Sequence, residues 1–287
     1  MRREQKGTTT MKTITTASLA LLLASAAAPA LAQSGPVDWS GPYVGIHGGY
    51  LNNADEDERL LFDRDFDGDY DDTVRTVGGA DAFSPGSCNG SPNSTSQPAG
   101  CDSDKDGAEA GIRAGYDLQF GSFVVGALGE ISATESEDSV TSFSTTPASY
   151  TFERKLRYLA AARLRLGYAF GPALVYATGG YASGKIDNQF YSSNTTNAYT
   201  ANIDEDDAEG PQYGGGIEYA LAPNLTVTGE YLYSDLDTGD FSVRISRGGQ
   251  PATNPFILPP NTAGTDTIRS NDAFKMHAFR IGMNYRF

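Results

Sequence analysis

The stretch that decides the fold is 108-AEAGIRAGYDLQF-120. Apolar and polar residues alternate through it, so Ile112 and Leu118 fall on one face with Ala, Tyr and Phe. Arg113 and Asp117 fall on the other face. Side chains of a β-strand point alternately to opposite faces of its sheet. This period of two therefore predicts a strand with one apolar face.

The same alternation recurs along the chain, with connections that are short and long in turn. Eight segments carry it, at 42–51, 108–120, 123–134, 154–168, 173–184, 212–221, 225–236 and 273–287. Tight turns lie at 121–122, 169–172 and 222–224, and long polar stretches at 52–107, 135–153, 185–211 and 237–272. Outer-membrane barrels have an even number of antiparallel strands, short periplasmic turns and long outer loops. The pattern predicts an all-β, eight-stranded antiparallel up-and-down transmembrane barrel, with long extracellular loops and short periplasmic turns.

Composition agrees with this prediction and excludes other classes. The 287 residues are 39% hydrophobic and include 33 Gly, 16 Tyr and 14 Phe. No apolar run after residue 33 reaches the ~18 residues that a membrane-spanning helix needs. The formal net charge of −15 argues against a nucleic-acid partner, because phosphate binding needs a basic surface.

Periodicity alone leaves open which face of the sheet points inward. In a soluble barrel of lipocalin type the apolar face lies inside, and in a membrane barrel it contacts lipid. Aromatic residues cluster at the predicted strand ends, as interfacial girdles do, among them Tyr43, Tyr168, Tyr285 and Phe287. The polar face carries five acids and four bases, which can neutralise one another. Both observations favour the membrane barrel.

The N-terminus predicts export. Lys12 precedes an apolar stretch that ends in Ala30-Leu31-Ala32, the pattern of a signal-peptide cleavage site. We expect a signal peptide at 1–32 and the barrel domain at 33–287, with Met11 as an alternative start. Export places Cys88 and Cys101 where a disulfide persists. They enclose twelve residues, and we expect them to be bridged rather than free.

The strand ends resemble a known family. The stretches are Trp39–Tyr50 (WSGPYVGIHGGY), Leu159–Tyr168, Tyr176–Tyr181, Gly216–Tyr219 and Gly229–Leu236. In this order they are similar to the small outer-membrane β-barrel family of Gram-negative bacteria, the OmpA-like and opacity-type porin family, and above all its alphaproteobacterial major outer-membrane proteins. The resemblance implies an outer-membrane location and no single activity. It also implies that Gly282, Tyr285 and Phe287 form the signal read by the barrel-assembly machinery. The first loop is long for the family.

An eight-stranded barrel has an interior just wide enough for its own side chains. We therefore expect the polar face to fill the lumen with a network of charges. Its predicted members are Glu109, Arg113, Asp117, Glu130, Arg163, Arg165, Glu218, Glu230 and Arg280. The function expected is structural, with surface contact through the outer loops. The alternative is a narrow porin-like channel for ions or small solutes.

A lipid-modifying enzyme is a third and weaker hypothesis. Such an enzyme needs a His beside a nucleophilic Ser, and the chain has only His47 and His277. By parity His47 faces the lumen and His277 faces lipid. We expect no enzymatic activity, and no cofactor is required.

The long first loop is strongly acidic. Residues 52–107 hold fourteen acids and four bases. Two stretches read D-x-D-x-D-G: Asp63, Asp65 and Asp67, with Asp69 close by, and Asp102, Asp104 and Asp106. Alternate Asp oxygens before a Gly begin an EF-hand loop, but position twelve is Val74 or Arg113 instead of Glu. A looser Ca²⁺ site is possible. Acidic loops beside anionic lipopolysaccharide also favour divalent cations, and a surface or host ligand is a further possible partner.

Overall fold

The structure is a computed structural model that describes residues 37–54, 57–104, 106–203 and 207–287. The predicted signal peptide at 1–32 lies outside these residues. Fifteen strands follow in chain order: β1 Gly41–Asn53, β2 Leu60–Asp63, β3 Gly86–Asn89, β4 Ser91–Pro92, β5 Cys101–Asp102, β6 Gly107–Phe120, β7 Phe123–Ser144, β8 Ala148–Phe170, β9 Ala173–Ser192, β10 Ala198–Ile203, β11 Asp207–Ala222, β12 Leu225–Asp237, β13 Phe241–Ser246, β14 Thr265–Arg269 and β15 Ala273–Arg286. Short 3₁₀ turns occupy Gln97–Ala99 and Pro255–Ile257. Within the described ranges, no helix is long and apolar enough to cross a membrane.

Eight strands form one closed antiparallel sheet. In order around the barrel they are β1, β6, β7, β8, β9, β11, β12 and β15, and each pairs with two neighbours. The pairing of β15 with β1 closes the ring. Each strand matches one of the eight predicted segments, with β15 ending one residue before the predicted Phe287. Tight turns join β6 to β7, β8 to β9 and β11 to β12. The predicted eight-stranded barrel is confirmed.

The apolar face points outward and the charged face inward. Ile112, Leu164 and Ile281 are 61%, 68% and 71% exposed, whereas Arg163 and Glu230 are 2% and 5% exposed. A lipocalin-type carrier would bury the first group and expose the second. Because an outward apolar band is stable only against acyl chains, this arrangement excludes the soluble-barrel alternative.

Aromatic side chains mark the limits of the apolar band. On β8 the outward rings of Tyr158 and Tyr168 lie ten residues apart, roughly 33 Å along a strand. A strand tilt of about 40° reduces this to a band about 25 Å tall, the height expected for an outer-membrane barrel. At the turn side, Tyr168 packs edge-on against Phe123 with ring centroids 5.4 Å apart, and Tyr285 packs against Phe287 at 5.2 Å.

The barrel strands extend well beyond the band on the loop side. The stretch 135–153, predicted as a loop, is instead the far end of a long hairpin between β7 and β8. The predicted loop at 185–211 is likewise mostly strand, with β9 running to Ser192 and β11 starting at Asp207. Both loop predictions were wrong because polar residues alternate with buried ones here, and a strand in water can be polar on its outer face.

Four of the seven remaining strands cover the extended hairpin and form an apolar core with it. Strands β10, β13, β14 and β2 form a four-stranded sheet. Its side chains pack against those of the hairpin in one cluster, which includes Phe62 and Val243 from the sheet and Val140 and Phe152 from the hairpin. We call these four strands and the extended hairpin the outer cap. Much of the sequence predicted as outer loops is therefore folded into strands that share an apolar core.

The orientation of the faces predicts the effect of an outward charge. Leu164 lies near the middle of the band, so Leu164→Arg should lower the free energy of unfolding in lipid vesicles by about 2–4 kcal/mol. Thr200→Arg, on an exposed position of β10 in the outer cap, is the matched control and should change it little. Denaturant unfolding followed by tryptophan fluorescence measures both. Equal effects of the two substitutions would contradict the assigned faces.

Candidate functional site

The lumen is the candidate site, and its side chains form successive layers. Nearest the turn side lies the lower charge layer, made of Asp117, Arg165, Glu218 and Arg286 from β6, β8, β11 and β15. Arg165 donates to Asp117 and Glu218, each at 2.7 Å. Arg286 donates to the same two carboxylates, at 2.7 Å and 3.1 Å. Two guanidinium groups and two carboxylates thus form a closed ring across the barrel.

Aromatic rings enclose the lower charge layer. The guanidinium of Arg165 lies 4.6 Å from the ring centroid of Tyr176 and 5.4 Å from that of Tyr43. The guanidinium of Arg286 lies 5.0 Å from the ring of Trp39. Such contacts are favourable for buried cations. The turn-side end of the lumen is therefore closed by rings as well as by ion pairs.

The middle charge layer is Glu109, Arg113, Glu130, Arg163, Glu230 and Arg280. Arg163 donates to Glu130 at 2.8 Å and to Gln212 at 2.9 Å. Arg280 bonds to Glu109 and Glu130. Arg113 is the exception, because its nearest carboxylate oxygen, on Glu230, lies 3.5 Å away and none of its nitrogens has a hydrogen-bond partner among the described residues.

The structure brings all nine predicted lumen residues into these two layers, and it adds Arg286. That residue is missing from the predicted network, although its parity in the last strand places it on the same face as Arg280. With Arg286 the two layers hold five acids and five bases. The buried charge is therefore balanced within the lumen itself.

Above the middle charge layer the lumen becomes apolar. Twelve buried residues fill this apolar layer: Leu51, Leu156, Leu159, Ala161, Ala182, Ile186, Ala208, Leu232, Leu236, Phe274, Met276 and Ala278. Along β8 the inward residues pass from Arg165 and Arg163 to Leu159 and Leu156. The apolar layer thus separates the charged lumen from the outer cap.

A third group of charges, the outer charge layer, lies above the membrane. Arg154 and Arg269 both donate to Asp138, at 2.5 Å and 2.8 Å, and both contact Glu58. Burial raises the pKa of Glu58. Burial also acts on Asp138, but the two guanidinium groups outweigh it and lower the pKa of this carboxyl. The layer was not predicted from the sequence because Glu58 and Arg269 come from distant parts of the chain, both within stretches predicted as loops. The parity of Arg154 on β8 was a usable signal.

The two histidines lie where parity places them. His277 is on the outer wall, where its Nδ1 lies 2.8 Å from the hydroxyl of Tyr231. His47 is buried in the lumen, with Nε2 2.8 Å from Oγ of Ser132. Its Nδ1 has no partner among the described residues, so no third group orients the ring as in a catalytic triad. Ser132 is 1% exposed, so a substrate has no access to this pair.

The two acidic repeats of the first loop have different surroundings. Carboxylate oxygens of Asp63, Asp65 and Asp67 lie within 4.8 Å of one another. In the second repeat Asp104 accepts from the backbone and hydroxyl of Ser139, and Asp106 accepts from Tyr50 and Asn52. Burial raises the pKa of Asp104 to about 6. Among the described residues, only Asp63, Asp65 and Asp67 of the first repeat form a group of three carboxylates. Asp69 is not part of this group, and Asp102, Asp104 and Asp106 of the second repeat do not form one.

The predicted disulfide is confirmed. Cys88 and Cys101 are bonded with an S–S distance of 2.04 Å. Cys88 lies in β3, which pairs with the extended part of β7. The bridge therefore ties the tip of the first loop to the outer cap.

Comparison with known proteins agrees with this architecture. The family described as outer membrane protein beta-barrel domain matches residues 17–287. The chain belongs to this family. It is located in the outer membrane, as the resemblance implied.

Named relatives and neighbours include three outer-membrane or surface proteins. The 31 kDa outer-membrane immunogenic protein of Brucella melitensis is 27% identical over 290 residues, covering 96% of this chain and all of the relative. The outer membrane protein OprG of Pseudomonas aeruginosa is 15% identical, with a TM-score of 0.47 over 88% of this chain and 98% of its own. Neisserial surface protein A is 11% identical, with a TM-score of 0.35 over 86% and 98% of the two chains.

The middle charge layer predicts a large cost for removing one cation. Arg163→Ala leaves Glu130 short of a partner in a buried site, and we expect a loss of about 3–5 kcal/mol. Arg157→Ala is the matched control, because Arg157 pairs with Asp187 on the exposed outer wall and such pairs contribute at most about 1 kcal/mol. Heat-modified gel mobility and the unfolding midpoint measure both. An unchanged midpoint for Arg163→Ala would mean that the layer contributes no stability.

Calcium binding by the first repeat stays a prediction that titration can test. Three carboxylates supply part of the six to eight oxygens that Ca²⁺ prefers. Calorimetric titration of the folded barrel with CaCl₂ should give a binding heat that Asp65→Asn removes and Asp102→Asn leaves in place. Absence of heat at millimolar Ca²⁺ would end the hypothesis.

Proposed function

We propose that the protein is a non-conducting barrel that anchors a folded, surface-exposed cap in the outer membrane. The observation that carries the proposal is the layered filling of the lumen. The lower and middle charge layers, the apolar layer and the outer charge layer follow one another along the inward positions of β8, and β15 contributes to the first three. A solute would have to displace side chains at each level in turn.

The energetics of these layers support closure. Separating a buried ion pair leaves an uncompensated charge, which costs about 3–5 kcal/mol, and Arg163, Arg165 and Arg280 each hold two acids. The apolar layer adds a barrier of a different kind, because an ion crossing it would lose its hydration without a charged partner. The charge layers and the apolar layer together hinder the passage of ions and polar solutes through the lumen.

The outer cap supports a role in surface contact. From the ring of Tyr158 to the end of the hairpin at Ala148, β8 runs ten residues, or roughly 33 Å along the strand. This height brings the cap outside the lipid headgroups, where it meets lipopolysaccharide chains and external ligands. An acidic cap beside anionic lipopolysaccharide favours divalent cations as bridging ions. Envelope stabilisation and surface interaction follow as the proposed roles, with no catalytic step.

Conductance measurement tests the proposal directly. In a planar bilayer in about 1 M KCl, with up to about 100 mV applied, the purified chain should give no discrete current steps. A potential of this size is enough to drive ions through an open pore. As a control, the protein is also inserted into vesicles of the same lipid and recovered from them. Heat-modifiable mobility of the recovered protein shows that it inserted in a folded state. Reproducible steps of one size would contradict closure.

A narrow channel is the second candidate, and one observation favours it. The guanidinium of Arg113, the hydroxyl of Thr228 and Nδ1 of His47 are buried polar groups without protein partners in the described residues. Buried polar groups of this kind are often satisfied by water. If current steps are seen, Arg113→Met should change their size, whereas Arg157→Met on the outer wall should not.

A further inference from the structure

At the outer end of the cap, loop segments and the β7–β8 turn enclose a cavity that neither the barrel nor the charge layers use. It has a volume of about 440 Å³, within the range of small-molecule sites. Four separate segments of the chain meet to form it: residues 82–83, the β7–β8 turn at 144–150, residues 193–196 and residues 250–256. We call it the tip pocket.

The lining of the tip pocket is uncharged. None of its residues is Asp, Glu, Lys, Arg or His, in a chain with a net charge of −15. Its titratable side chain is Tyr150, and burial raises the pKa of this phenol, so that it is neutral as well. An ionic ligand would find no counter-charge here, and its desolvation would go uncompensated.

The polar wall of the tip pocket consists of amides and hydroxyls. Asn194 holds it together, because its amide nitrogen donates to Tyr150 at 3.0 Å and to Asn197 at 2.7 Å, and its oxygen accepts from Gln250 at 3.3 Å. Around this hub the side chains of Thr146, Thr195 and Thr253 are exposed at the rim. Hydroxyls and amides both donate and accept hydrogen bonds, which suits a ligand that does the same.

The floor of the tip pocket is aromatic. The rings of Phe83, Tyr150 and Phe256 pack edge-on, with centroid distances of 5.3 Å, 5.5 Å and 5.9 Å. Tyr150 and Phe256 are buried, and Phe83 is half-buried and presents part of its ring. A rigid floor and a hydrogen-bonded wall mean that the site is formed before a ligand arrives, which lowers the entropic cost of binding.

We propose that the tip pocket binds a neutral saccharide. A sugar ring has hydroxyls that donate and accept at its edge and C–H groups on its faces, which match the amide and hydroxyl wall and the aromatic floor. A purely apolar ligand would displace water from the exposed rim threonines without replacing its hydrogen bonds. A charged ligand would lack a counter-charge. The pocket faces outward from the cell surface, so its ligand is a glycan outside the bilayer.

Saturation-transfer NMR tests the inference on the full chain, folded in a zwitterionic detergent without sugar headgroups. The probes are lactose, maltotriose and N,N′-diacetylchitobiose, with 3′-sialyllactose as the anionic comparison. We expect transfer to the ring protons of at least one neutral probe. Thr195→Trp and Thr146→Trp place a bulky ring at the rim and should weaken binding about tenfold or more. Thr262→Trp, on an exposed loop residue outside the pocket, should leave it within about twofold.

Three results would overturn the inference. They are no transfer to any neutral probe at millimolar concentration, transfer that persists in both rim variants, and preference for the sialylated probe. Heat-modified mobility of each variant shows that it is folded, so a loss of binding is assigned to the pocket. Conductance is independent of this result, so failure here leaves the closed barrel standing.

Discussion

The interior width of an eight-stranded barrel is the constraint on which the other features depend. Such a ring has room for side chains and little else, and half of every strand must point into it. Residues on that face are shielded from lipid and from bulk water, so each charge needs a partner within a few ångströms. The ring of Arg165 and Arg286 with Asp117 and Glu218 shows the solution, in which two cations share two acids.

The change from charged to apolar layers along the axis divides the molecule into two parts. Within the membrane band the lumen is ionic and the outer wall is apolar, because lipid lies outside. Towards the outer edge of the band and above it, the inward positions of the same strands become apolar, from Ala161 to Leu156 on β8, and the outer charge layer follows at Arg154. Leu156 lies in this upper part and Arg163 below it, on one continuous strand. The same strands therefore need an apolar outer face where they contact lipid and a polar outer face where they contact water.

The alternation of residues was enough to predict most of the barrel. It placed eight strands and sorted their residues into two faces, because a period of two converts sequence position into a face. The aromatic strand ends and the balanced charges then indicated that the charged face points inward and that Ile112 and Leu164 point outward. The alternation failed where polarity was taken to indicate a loop, at 135–153, since strands in water are polar outside. It also could not find the outer charge layer or the tip pocket. Glu58 and Arg269 are 211 residues apart, and four segments build the pocket, so only the folded cap brings these groups together.

Glycine on the inward face completes the packing of the charge layers. A Cβ at Gly49 would lie 2.9 Å from Cγ of Arg280 and 2.9 Å from Oε1 of Glu109, closer than real contacts allow. A Cβ at Gly115 would lie 2.5 Å from the hydroxyl of Tyr43. In the narrow lumen, a long side chain on one strand thus lies beside a glycine on the neighbouring strand. The guanidinium groups reach their carboxylates because the glycines of β1 and β6 contribute almost no volume at those positions. The buried ion pairs and the inward glycines therefore both follow from the narrow width of the lumen.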